Sequence, residues 1–381
     1  MNVILFFTYD VSLKDWSDKG LLDRELKIYE NISKDYNINF TFVTYGTSED
    51  LKYISKDSDF KVLPIYKYLK KPKSKFFRLI KSLYIPFYVK KITENDYQII
   101  KTNQLYGGWV ALIYKFISKN PLLVRTGYDL LSFSIYENKN TFKKLAYYIL
   151  TLVSLNLSNY YVVTSKTDYK FLTKYFFFNK NKLKIIPNWV DVPNSRQKQK
   201  RIQRKVLVVG RLEKQKNIEL LIKNFHNSNF QIDIFGEGSL EKDLKNISKN
   251  SKNISFKGVL DHKELLKMYE VYSFYVSMSS YEGNPKSTLE AMGLGCIVAV
   301  NDIPNNKELI TNFENGLIFN PTKENIVDIL EKLETNPKLM NDIREGGINY
   351  IKTNNSIKEI VKKEIEIYNL INNSDNSWIV N

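Results

Sequence analysis

Cysteine and histidine are both rare in this chain: its 381 residues include one cysteine and two histidines. The single cysteine, Cys296, can form no disulfide within the chain, and its apolar neighbours predict a small buried side chain. No histidine and cysteine cluster has the spacing of a metal site, so we expect no bound metal. The sequence also lacks any apolar run of about 18 residues, so no transmembrane helix is predicted. The first ten residues lack the basic leader of a signal sequence and predict a buried strand instead.

Acidic residues are scarce in the first half of the chain. Residues 1–190 contain 30 basic and 16 acidic side chains, a net charge of +14, whereas residues 191–381 contain 27 and 25, a net charge of +2. The excess is densest over Tyr66–Lys91, which interleaves basic residues with aromatic and aliphatic ones and contains no acid. Basic residues gain about 1 kcal/mol each near an anionic leaflet, and aromatic rings settle at the headgroup level. The segment therefore predicts contact with an anionic membrane surface.

The same charge is compatible with two simpler origins. The segment can be a solvated basic face over a core helix, or it can reflect a general enrichment in lysine, although such an enrichment would charge both halves equally. No nucleic-acid recognition motif accompanies the charge, so we expect no nucleic-acid partner. We expect a cytoplasmic protein, peripheral on the inner face of the plasma membrane.

The length of the chain and the alternation of its apolar runs predict two α/β domains. A single core of 381 residues would be unusually large, and short apolar runs alternating with amphipathic stretches are typical of repeated βα units. We predict a doubly wound, Rossmann-like domain over residues 1–190, a polar linker over 191–204, a second such domain over 205–365 and a C-terminal tail over 366–381.

Apolar runs of four to eight residues mark the strands of both domains. The predicted strands of the first domain are Val3–Phe7, Ile38–Thr44, Phe60–Pro64, Tyr97–Lys101, Leu122–Arg125, Tyr160–Thr164 and Leu183–Ile186. Those of the second domain are Lys205–Val209, Ile232–Phe235, Ile254–Lys257, Phe274–Ser277, Ile297–Asn301 and Leu317–Phe319.

A pattern in the second domain predicts an anion site. Pro285 suits the first turn of a helix, and the apolar residues after it supply a buried face. The first amides of that helix, in residues 286–288, have no partner within the helix and lie at the positive end of its dipole, where they favour a phosphate. Glu282 and Glu290 flank the same place, where carboxylates can accept hydrogen bonds from sugar hydroxyls. The combination fits a sugar diphosphate, although two glutamates eight residues apart also occur by coincidence.

A second cluster, earlier in the same domain, supplies positive charge. The run Lys205–Val209 predicts a buried strand, Gly210 follows it, and a helix is predicted after Asn217. In open α/β sheets ligands bind beyond the carboxyl ends of the strands, and glycine lets the backbone approach them closely. Arg211 and Lys216 lie in this loop and can neutralise a diphosphate. Their position directly after a strand favours this role over that of ordinary solvated cations.

Six segments, in this order, resemble those of the family-4 retaining glycosyltransferases, which have the GT-B fold. They are Ile186–Asp191, Val209–Leu212, Lys216–Asn217, Ile234–Leu240, Phe256–Val259 and Ser277–Met292. The resemblance covers most of residues 183–320 and implies two Rossmann-like domains that face a central cleft. It also implies that no cofactor is needed, that a nucleotide-diphosphate sugar is the co-substrate, with a UDP-sugar favoured over a GDP-sugar, and that a hydroxyl accepts the sugar. The final helix, within Ser356–Asn372, would cross back to the first domain.

The resemblance further implies roles for individual residues. Arg211 and Lys216 would hold the diphosphate, and Glu282 would fix the donor sugar; these three are the candidate catalytic residues. With no base in an obvious place, the departing phosphate would accept the proton of the acceptor. The backbone over 283–286 would hold the sugar, the amides over 287–289 would cap the phosphates, and Glu290 would hold the ribose. The candidate donor-binding residues are Gly20, Gly210, Gly258, Gly283, Asn284, Pro285, Lys286, Ser287, Thr288, Leu289 and Glu290.

The first domain matches the family less closely. After its first strand the family has a glycine pair, of which only Gly20 is present, and neither histidine lies in this domain, where many members have one. The candidates for contact with the acceptor are Asn103, Arg125, Tyr128 and Asp129, each of which follows or ends a predicted strand. An ion pair at a strand end accounts equally well for Arg125 and Asp129.

Asp57 and Asp59 have the Asp-x-Asp spacing of metal-dependent glycosyltransferases of the other large fold. Short matches arise often by chance, and a site with two cations and a helix start has no need of a metal, so we interpret them as residues that cap or turn into a short strand. We therefore expect a retaining glycosyltransferase that acts on a membrane-lipid-linked saccharide in the synthesis of a surface polysaccharide (capsule, O-antigen or exopolysaccharide). The alternatives are a nucleotide-sugar epimerase of the same fold and a non-enzymatic, basic membrane-surface protein.

Overall fold

The computed structural model describes residues 1–54, 60–93, 97–191 and 201–376, with residues 374–376 described by backbone only. The chain divides into two α/β units: the first comprises Met1–Ile186 together with the chain from Val361 onward, and the second comprises Pro187–Ile360. Asp57, Asp59 and residues 192–200 of the predicted linker lie outside the described residues.

The first unit is built on one parallel sheet. Its strands are β1 (Asn2–Phe6), β2 (Asn39–Thr44), β3 (Phe60–Pro64), β4 (Ile99–Thr102), β5 (Leu122–Arg125), β6 (Tyr160–Val163) and β7 (Leu183–Ile185). Its helices are α1 (Leu13–Asp18), α2 (Leu22–Tyr36), α3 (Ile65–Tyr68), α4 (Lys75–Ser82), α5 (Ile85–Ile92), α6 (Gly108–Ser118), α7 (Leu130–Tyr136), α8 (Thr141–Leu157) and α9 (Lys166–Tyr175), with 3-10 turns over Ser48–Tyr53 and Phe177–Lys182.

Within the described residues the strands of this sheet lie in the order β3-β2-β1-β4-β5-β6-β7, so the chain winds outward in both directions from the β1 and β4 pair. Because parallel crossovers are right-handed, helices on opposite sides of this pair cover opposite faces of the sheet. On one face α5 packs against α6, and α6 packs against α8. Both faces are covered, which is why the strands read as nearly continuous apolar runs rather than alternating ones.

The second unit repeats this design. Its strands are β8 (Ile202–Val209), β9 (Gln231–Phe235), β10 (Ile254–Gly258), β11 (Tyr272–Ser277), β12 (Ile297–Asn301) and β13 (Leu317–Phe319), in the order β10-β9-β8-β11-β12-β13. Its helices are α10 (Ile218–Phe225), α11 (Glu241–Ile247), α12 (His262–Val271), α13 (Lys286–Gly293), α14 (Pro304–Leu309), α15 (Ile326–Glu334) and α16 (Pro337–Asn354), with a 3-10 turn over Lys214–Lys216. The final helix, α17 (Ile357–Asn376), belongs to the first unit from Val361 onward.

The prediction of two doubly wound α/β units is confirmed, and every predicted strand is present with bounds that differ by no more than three residues. The largest difference is at β8, where residues 202–204, assigned to the linker from the sequence, are strand. Their side chains are exposed, but the backbone of Ile202 pairs with that of Tyr272 in the neighbouring strand. Pairing, rather than burial, holds these residues in the sheet. Cys296 is buried, as predicted, and its thiol donates to the carbonyl of Tyr269 (3.1 Å).

The reversal of strand order fixes where a ligand site can form. In the second unit β8 and β11 are neighbours, and the chain leaves them in opposite directions. The loops after their carboxyl ends therefore diverge and leave a crevice, which is the usual binding place in open α/β sheets. These two loops contain the predicted cations and the predicted helix start.

Candidate functional site: an anion-binding crevice in the second unit

Close backbone packing fixes the loop that follows β8. The amide of Gly210 donates to the carbonyl of Phe235 (3.0 Å), and the amide of Leu212 donates to the carbonyl of Glu237 (2.9 Å). Gly236 has a φ of +141°, and a Cβ atom placed there would lie 1.9 Å from the carbonyl oxygen of Gly210. Any side chain at this position would displace the loop, so glycine is required here.

This loop presents two cations. Arg211 is exposed, and its Nη2 donates to Oε1 of Gln215 (3.4 Å). Lys216 ends the 3-10 turn, and its Nζ lies 2.5 Å from Oε1 of Glu282. Burial alone would lower the pKa of Lys216, but the charge of Glu282 more than offsets it and the pKa is raised. Lys216 is therefore cationic in a largely buried position beside the crevice.

The loops after β8 and β11 are tied together through Gln215. Its side-chain amide donates to the carbonyl of Tyr281 (2.8 Å), and its own backbone carbonyl accepts from the amide of Ser280 (2.9 Å). Lys216 and Glu282, which are 66 residues apart in the sequence, meet because of this connection. Two of the three predicted catalytic residues are thus in direct contact, and Arg211 lies in the same loop as Lys216.

The helix start predicted at Pro285 is present. Pro285 is the N-cap of α13, with φ −73° and ψ 111°, and Leu289 is the first residue whose amide donates within the helix, to the carbonyl of Pro285 (3.1 Å). The amides of residues 286–288 precede that bond and lie at the positive end of the helix dipole. Lys286 places its Nζ 5.0 Å from the centre of the Trp189 ring. This end of α13 is suited to an anion.

Side chains from three other segments hold the loop in front of α13. Asn188 donates from its backbone amide to Oδ1 of Asn284 (2.7 Å) and from its side chain to the carbonyl of Asn284 (2.6 Å). Asn305, which is buried, donates to the carbonyl of Gly283 (2.9 Å). The hydroxyl of Tyr275 donates to Oγ of Ser287 (3.0 Å). Sequence reasoning missed these supports, because none of them adjoins the loop in the sequence.

Both glutamates of the predicted site are buried. Glu282 is 9% exposed and Glu290 is 4% exposed, and each has a nitrogen partner. Nε2 of His262, the first residue of α12, lies 2.9 Å from Oε1 of Glu290. A histidine in this contact was not predicted, because sequence reasoning considered histidine only as a metal ligand or as a residue of the first domain.

Gly258 ends β10 beside the same crevice. Its φ is +72°, its carbonyl accepts from the amide of Gly236 (2.8 Å), and no atom of the described residues lies within 4 Å of the position that a Cβ would occupy. The strand end is therefore open on this side. Gly20, in contrast, lies in the first unit, and its amide donates to the carbonyl of Ser17 (2.9 Å). A contact between Gly20 and a donor phosphate stays a prediction, and this amide already has an acceptor.

The crevice therefore combines two cations, a helix start and two buried carboxylates. Cations and the amides at a helix start stabilise a diphosphate, particularly one that gains charge as a bond to it breaks. Carboxylates accept hydrogen bonds from hydroxyl groups of a sugar or a ribose. Over the described part of the chain, no three histidine, cysteine, aspartate or glutamate side chains are grouped as a metal site.

The acceptor candidates of the first unit have mainly structural contacts. The Asn103 side chain accepts from the hydroxyl of Tyr29 (3.5 Å), and Nη1 of Arg125 lies 3.5 Å from Oε2 of Glu364. The ion pair that was the alternative role of Arg125 is thus present. Tyr128 is 42% exposed and so is accessible to a ligand.

Asp129 is buried and caps α7. Its Oδ1 accepts from the amide of Ser132 (2.7 Å). Burial raises the pKa of Asp129 to about 7, against the effect of that hydrogen bond and with a further contribution from the charge of Asp168. A buried cap of this kind positions the preceding loop and does not itself reach a ligand, so the structure favours a structural role for Asp129.

A buried charged cluster that the sequence did not predict attaches α17 to the sheet of the first unit. Lys101 of β4 forms a hydrogen-bonded ion pair with Glu364, which also accepts from the hydroxyl of Tyr368 (2.7 Å). Lys101, Glu364 and Tyr368 are each at most 1% exposed. Although burial favours the neutral carboxyl, the charges of Lys101 and Arg125 lower the pKa of Glu364.

The basic segment Tyr66–Lys91 exposes its apolar side chains. In α4 only Ser82 is buried, whereas α5 buries Ile85, Pro86 and Val89 against the unit. Its large exposed apolar residues are Tyr68, Phe76, Phe77, Leu79, Ile80, Leu83, Tyr84 and Phe87. An open groove of about 360 Å³ lies here, lined by Leu69, Lys81, Tyr84, Phe87, Tyr88 and Lys91. The alternative of a basic face over a core helix therefore does not describe α4, whose apolar residues face outward.

None of the helices in the described residues combines the length and the hydropathy that a membrane span requires.

Two protein-family models match the chain. Residues 191–350 match the family model described as Glycosyl transferases group 1, and residues 37–193 match the one described as Glycosyltransferase Family 4. The chain therefore belongs to the family-4 glycosyltransferases with the GT-B fold.

Individual relatives share a quarter to a third of their residues with this chain over the matched segments. The chain is 32% identical over 120 residues to the UDP-N-acetylglucosamine--peptide N-acetylglucosaminyltransferase GtfA subunit of Streptococcus agalactiae, a match of 30% of this chain and 24% of that protein. This relative is thus matched over about a quarter of its length. The UDP-Gal:alpha-D-GlcNAc-diphosphoundecaprenol alpha-1,3-galactosyltransferase of Escherichia coli is 25% identical over 303 residues, 71% of this chain and 76% of that protein.

The fold is shared with a solved structure of a TarM variant from S. aureus in complex with Fondaparinux, alpha-GlcNAc-glycerol and UDP. The two chains superpose with a TM-score of 0.75 at 15% sequence identity, over 97% of this chain and 100% of the other.

Proposed function

We propose that this protein is a retaining glycosyltransferase that moves a sugar from a UDP-sugar to a hydroxyl of a membrane-lipid-linked saccharide, in the synthesis of a surface polysaccharide. The observation that carries the proposal is the contact between Lys216 and Glu282 at the start of α13, with 2.5 Å between Nζ and Oε1. It joins a cation suited to a diphosphate with a carboxylate suited to a sugar hydroxyl. A nucleotide-diphosphate sugar contains both groups, next to each other.

The mechanism that we propose is electrostatic. Arg211, Lys216 and the amides of residues 286–288 stabilise the diphosphate as its bond to the sugar breaks, so they act most strongly where charge develops. Glu282 orients the sugar through its hydroxyl groups, and Glu290 accepts hydrogen bonds from the ribose. Arg211, Lys216 and the helix start supply the positive charge that the leaving diphosphate needs, so we propose that transfer is independent of a metal. The departing phosphate takes the proton of the acceptor hydroxyl.

Two observations support a lipid-linked acceptor. The E. coli galactosyltransferase relative acts, by its name, on a sugar attached to diphosphoundecaprenol. In this chain, the segment Tyr66–Lys91 combines exposed aromatic residues, a groove and lysines without any acid. Such a surface suits the interface of an anionic membrane. We propose that the protein acts in the cytoplasm, on the inner face of the plasma membrane.

A transfer assay with defined substrates tests this function. The purified protein is incubated with UDP-galactose, UDP-glucose or UDP-N-acetylglucosamine, or with GDP-mannose, and with vesicles that contain a polyprenyl-diphosphate-linked N-acetylhexosamine. We expect release of UDP and a lengthened lipid-linked saccharide only when the acceptor is present. Nuclear magnetic resonance of the product should show the same anomeric configuration as in the donor.

Two results would contradict the proposal. Conversion of the nucleotide sugar into its epimer without an acceptor would identify an isomerase of the same fold. Vesicle binding without turnover of any donor would favour a non-enzymatic membrane protein.

A further inference from the structure

A second apolar surface lies on α8 and on the 3-10 turn after α9. We call it the α8 surface and define it by Phe142, Leu145, Ile149, Phe177 and Phe178. Phe142 is 85% exposed, Phe178 is 77% exposed, and the other three are at least half exposed. None of these residues belongs to the segment Tyr66–Lys91, and no step of the proposed transfer uses them.

The α8 surface is the outer side of a packed helix. Phe142, Leu145 and Ile149 are spaced at i, i+3 and i+7 and so share one helical face. The opposite face carries Thr151 and Leu155, both fully buried. The helix is thus anchored through one side and presents a second apolar stripe outward. A globular protein rarely leaves a contiguous apolar surface uncovered unless it binds something.

The 3-10 turn continues the same surface. Tyr148 of α8 contacts the ring of Phe176 with 5.1 Å between centroids, and Nζ of Lys182 donates to the carbonyl of Asn156 (2.7 Å). These contacts fix the turn beside α8. The rings of Phe177 and Phe178, which the turn exposes, lie next to each other.

The charge around the α8 surface indicates what covers it. Residues 137–190 contain nine basic side chains and two acids: Glu137, which pairs with Lys139 (2.8 Å), and Asp168, which is 3% exposed. The basic residues are Lys139, Lys143, Lys144, Lys166, Lys170, Lys174, Lys180, Lys182 and Lys184. A second copy of this chain would bring like charges together around the apolar contact. An anionic bilayer, in contrast, offers apolar depth and negative headgroups at once.

The α8 surface lies on the same side of the first unit as the segment Tyr66–Lys91. Nε1 of Trp109 in α6 donates to Oγ of Ser82 at the end of α4 (2.9 Å), and α6 packs between α5 and α8. The helices α4, α5, α6 and α8 are thus connected by direct contacts on this side of the unit, and their outward sides expose aromatic and aliphatic residues. Phe116, on α6 between the two surfaces, is 64% exposed.

We propose that the α8 surface is a second membrane-binding surface, whose apolar side chains enter the interface of an anionic phospholipid bilayer. The proposal adds a second contact with the membrane that the proposed function already includes. It rests on the proposed function only in assuming that the protein meets such a membrane. With two separated contacts on one face, the first unit would be held at the bilayer in one orientation rather than free to turn about a single anchor.

Vesicle binding tests the proposal with three variants of the full chain. The first is the triple variant Phe142→Ser, Leu145→Ser, Ile149→Ser. The second, Tyr84→Ser with Phe87→Ser, alters the surface that supports the proposed function. The control, Ile247→Ser, Phe313→Ser, Leu370→Ser, removes three exposed apolar residues from other places. Each is sedimented with vesicles of phosphatidylcholine that contain phosphatidylglycerol, and with vesicles of phosphatidylcholine alone.

We expect the α8 triple variant to lose at least about tenfold in partitioning to the anionic vesicles, because three side chains no longer enter the interface. The control should bind as the unaltered chain does. If the triple variant is unstable, Phe142→Ser alone tests the same contact, since its side chain is the most exposed of the set.

The outcomes separate this proposal from the proposed function. If the triple variant binds as the unaltered chain does while Tyr84→Ser with Phe87→Ser does not, the α8 surface is not a membrane contact and the first surface is. If light scattering shows an unaltered chain that self-associates through α8 and a monomeric triple variant, the occupant is a second copy and the proposal is overturned. Turnover with a detergent-solubilised acceptor should be equal in the unaltered chain, the α8 triple variant and the control, so its loss in the triple variant would point to the transfer site instead.

Discussion

Replacement of Lys216 or of Arg211 by alanine should lower turnover at least about a hundredfold, the usual cost of removing one preorganised group that stabilises charge in a transition state. Lys216 is held by Glu282 at 2.5 Å and is cationic. Arg211 lies in the same loop and is free to approach a diphosphate from the exposed side. Turnover of the donor with saturating acceptor is the measurement.

Lys214→Ala is the matched control. Lys214 lies in the same 3-10 turn as Lys216 and is exposed, so its removal should leave turnover nearly unchanged. Because loss of Lys216 leaves the carboxylate of Glu282 buried without its cation, the melting midpoint is measured in parallel, and Lys216→Met serves as a variant that keeps the aliphatic stem. Near-normal rates in both Arg211→Ala and Lys216→Ala would contradict the electrostatic mechanism.

The variant Glu364→Ala should lower the free energy of unfolding by roughly 3–5 kcal/mol, the usual effect of removing one partner of a buried ion pair. Glu364 is 1% exposed, and its removal leaves Lys101 without its acidic partner in the interior of the first unit, where burial already lowers the pKa of Lys101. Glu366→Ala, on the exposed side of the same helix, is the control and should change stability little. Denaturant unfolding of each chain provides the measurement.

The difference in free energy of unfolding between the unaltered chain and Glu364→Ala depends on pH through the pKa of Glu364. The pKa is lowered in the folded state by the charges of Lys101 and Arg125, so the stabilisation is present above the ordinary pKa of a glutamate and is lost as the pH falls through the folded value. The difference between the unaltered chain and Glu364→Ala should therefore shrink in acid. A Glu364→Ala variant as stable as the control at neutral pH would contradict the buried pair.

The two sheets could be predicted because most of their strands are short apolar runs whose central residues are buried. The helix start at Pro285 was predictable for a similar reason, since proline and the apolar face after it act within a few residues of each other. The three exposed residues at the beginning of β8 could not be predicted as strand, because the backbone pairing that extends the strand leaves no apolar pattern in the sequence.

Buried contacts in both units depend on distant parts of the chain. Glu364 pairs with Lys101, which is 263 residues away in the sequence, and His262 contacts Glu290, which is 28 residues away. Residue types alone could not connect such pairs, although a lysine within the apolar run of β4 was a signal that a buried partner exists. For Arg125 the sequence left two roles open, contact with the acceptor or an ion pair at a strand end. Only the fold shows that an ion pair with Glu364 is present.

The central claim is that the crevice between the loops after β8 and β11 binds a nucleotide diphosphate. Thermal unfolding of the purified protein with UDP, GDP and ADP, and with the corresponding nucleotide sugars, tests it most directly, since a ligand that binds only the folded state raises the midpoint. We predict that UDP and its sugars give the largest rise, that Glu290→Ala abolishes it, and that the exposed control Glu314→Ala retains it. The absence of a rise with every nucleotide, or an undiminished rise in Glu290→Ala, would contradict the site described above.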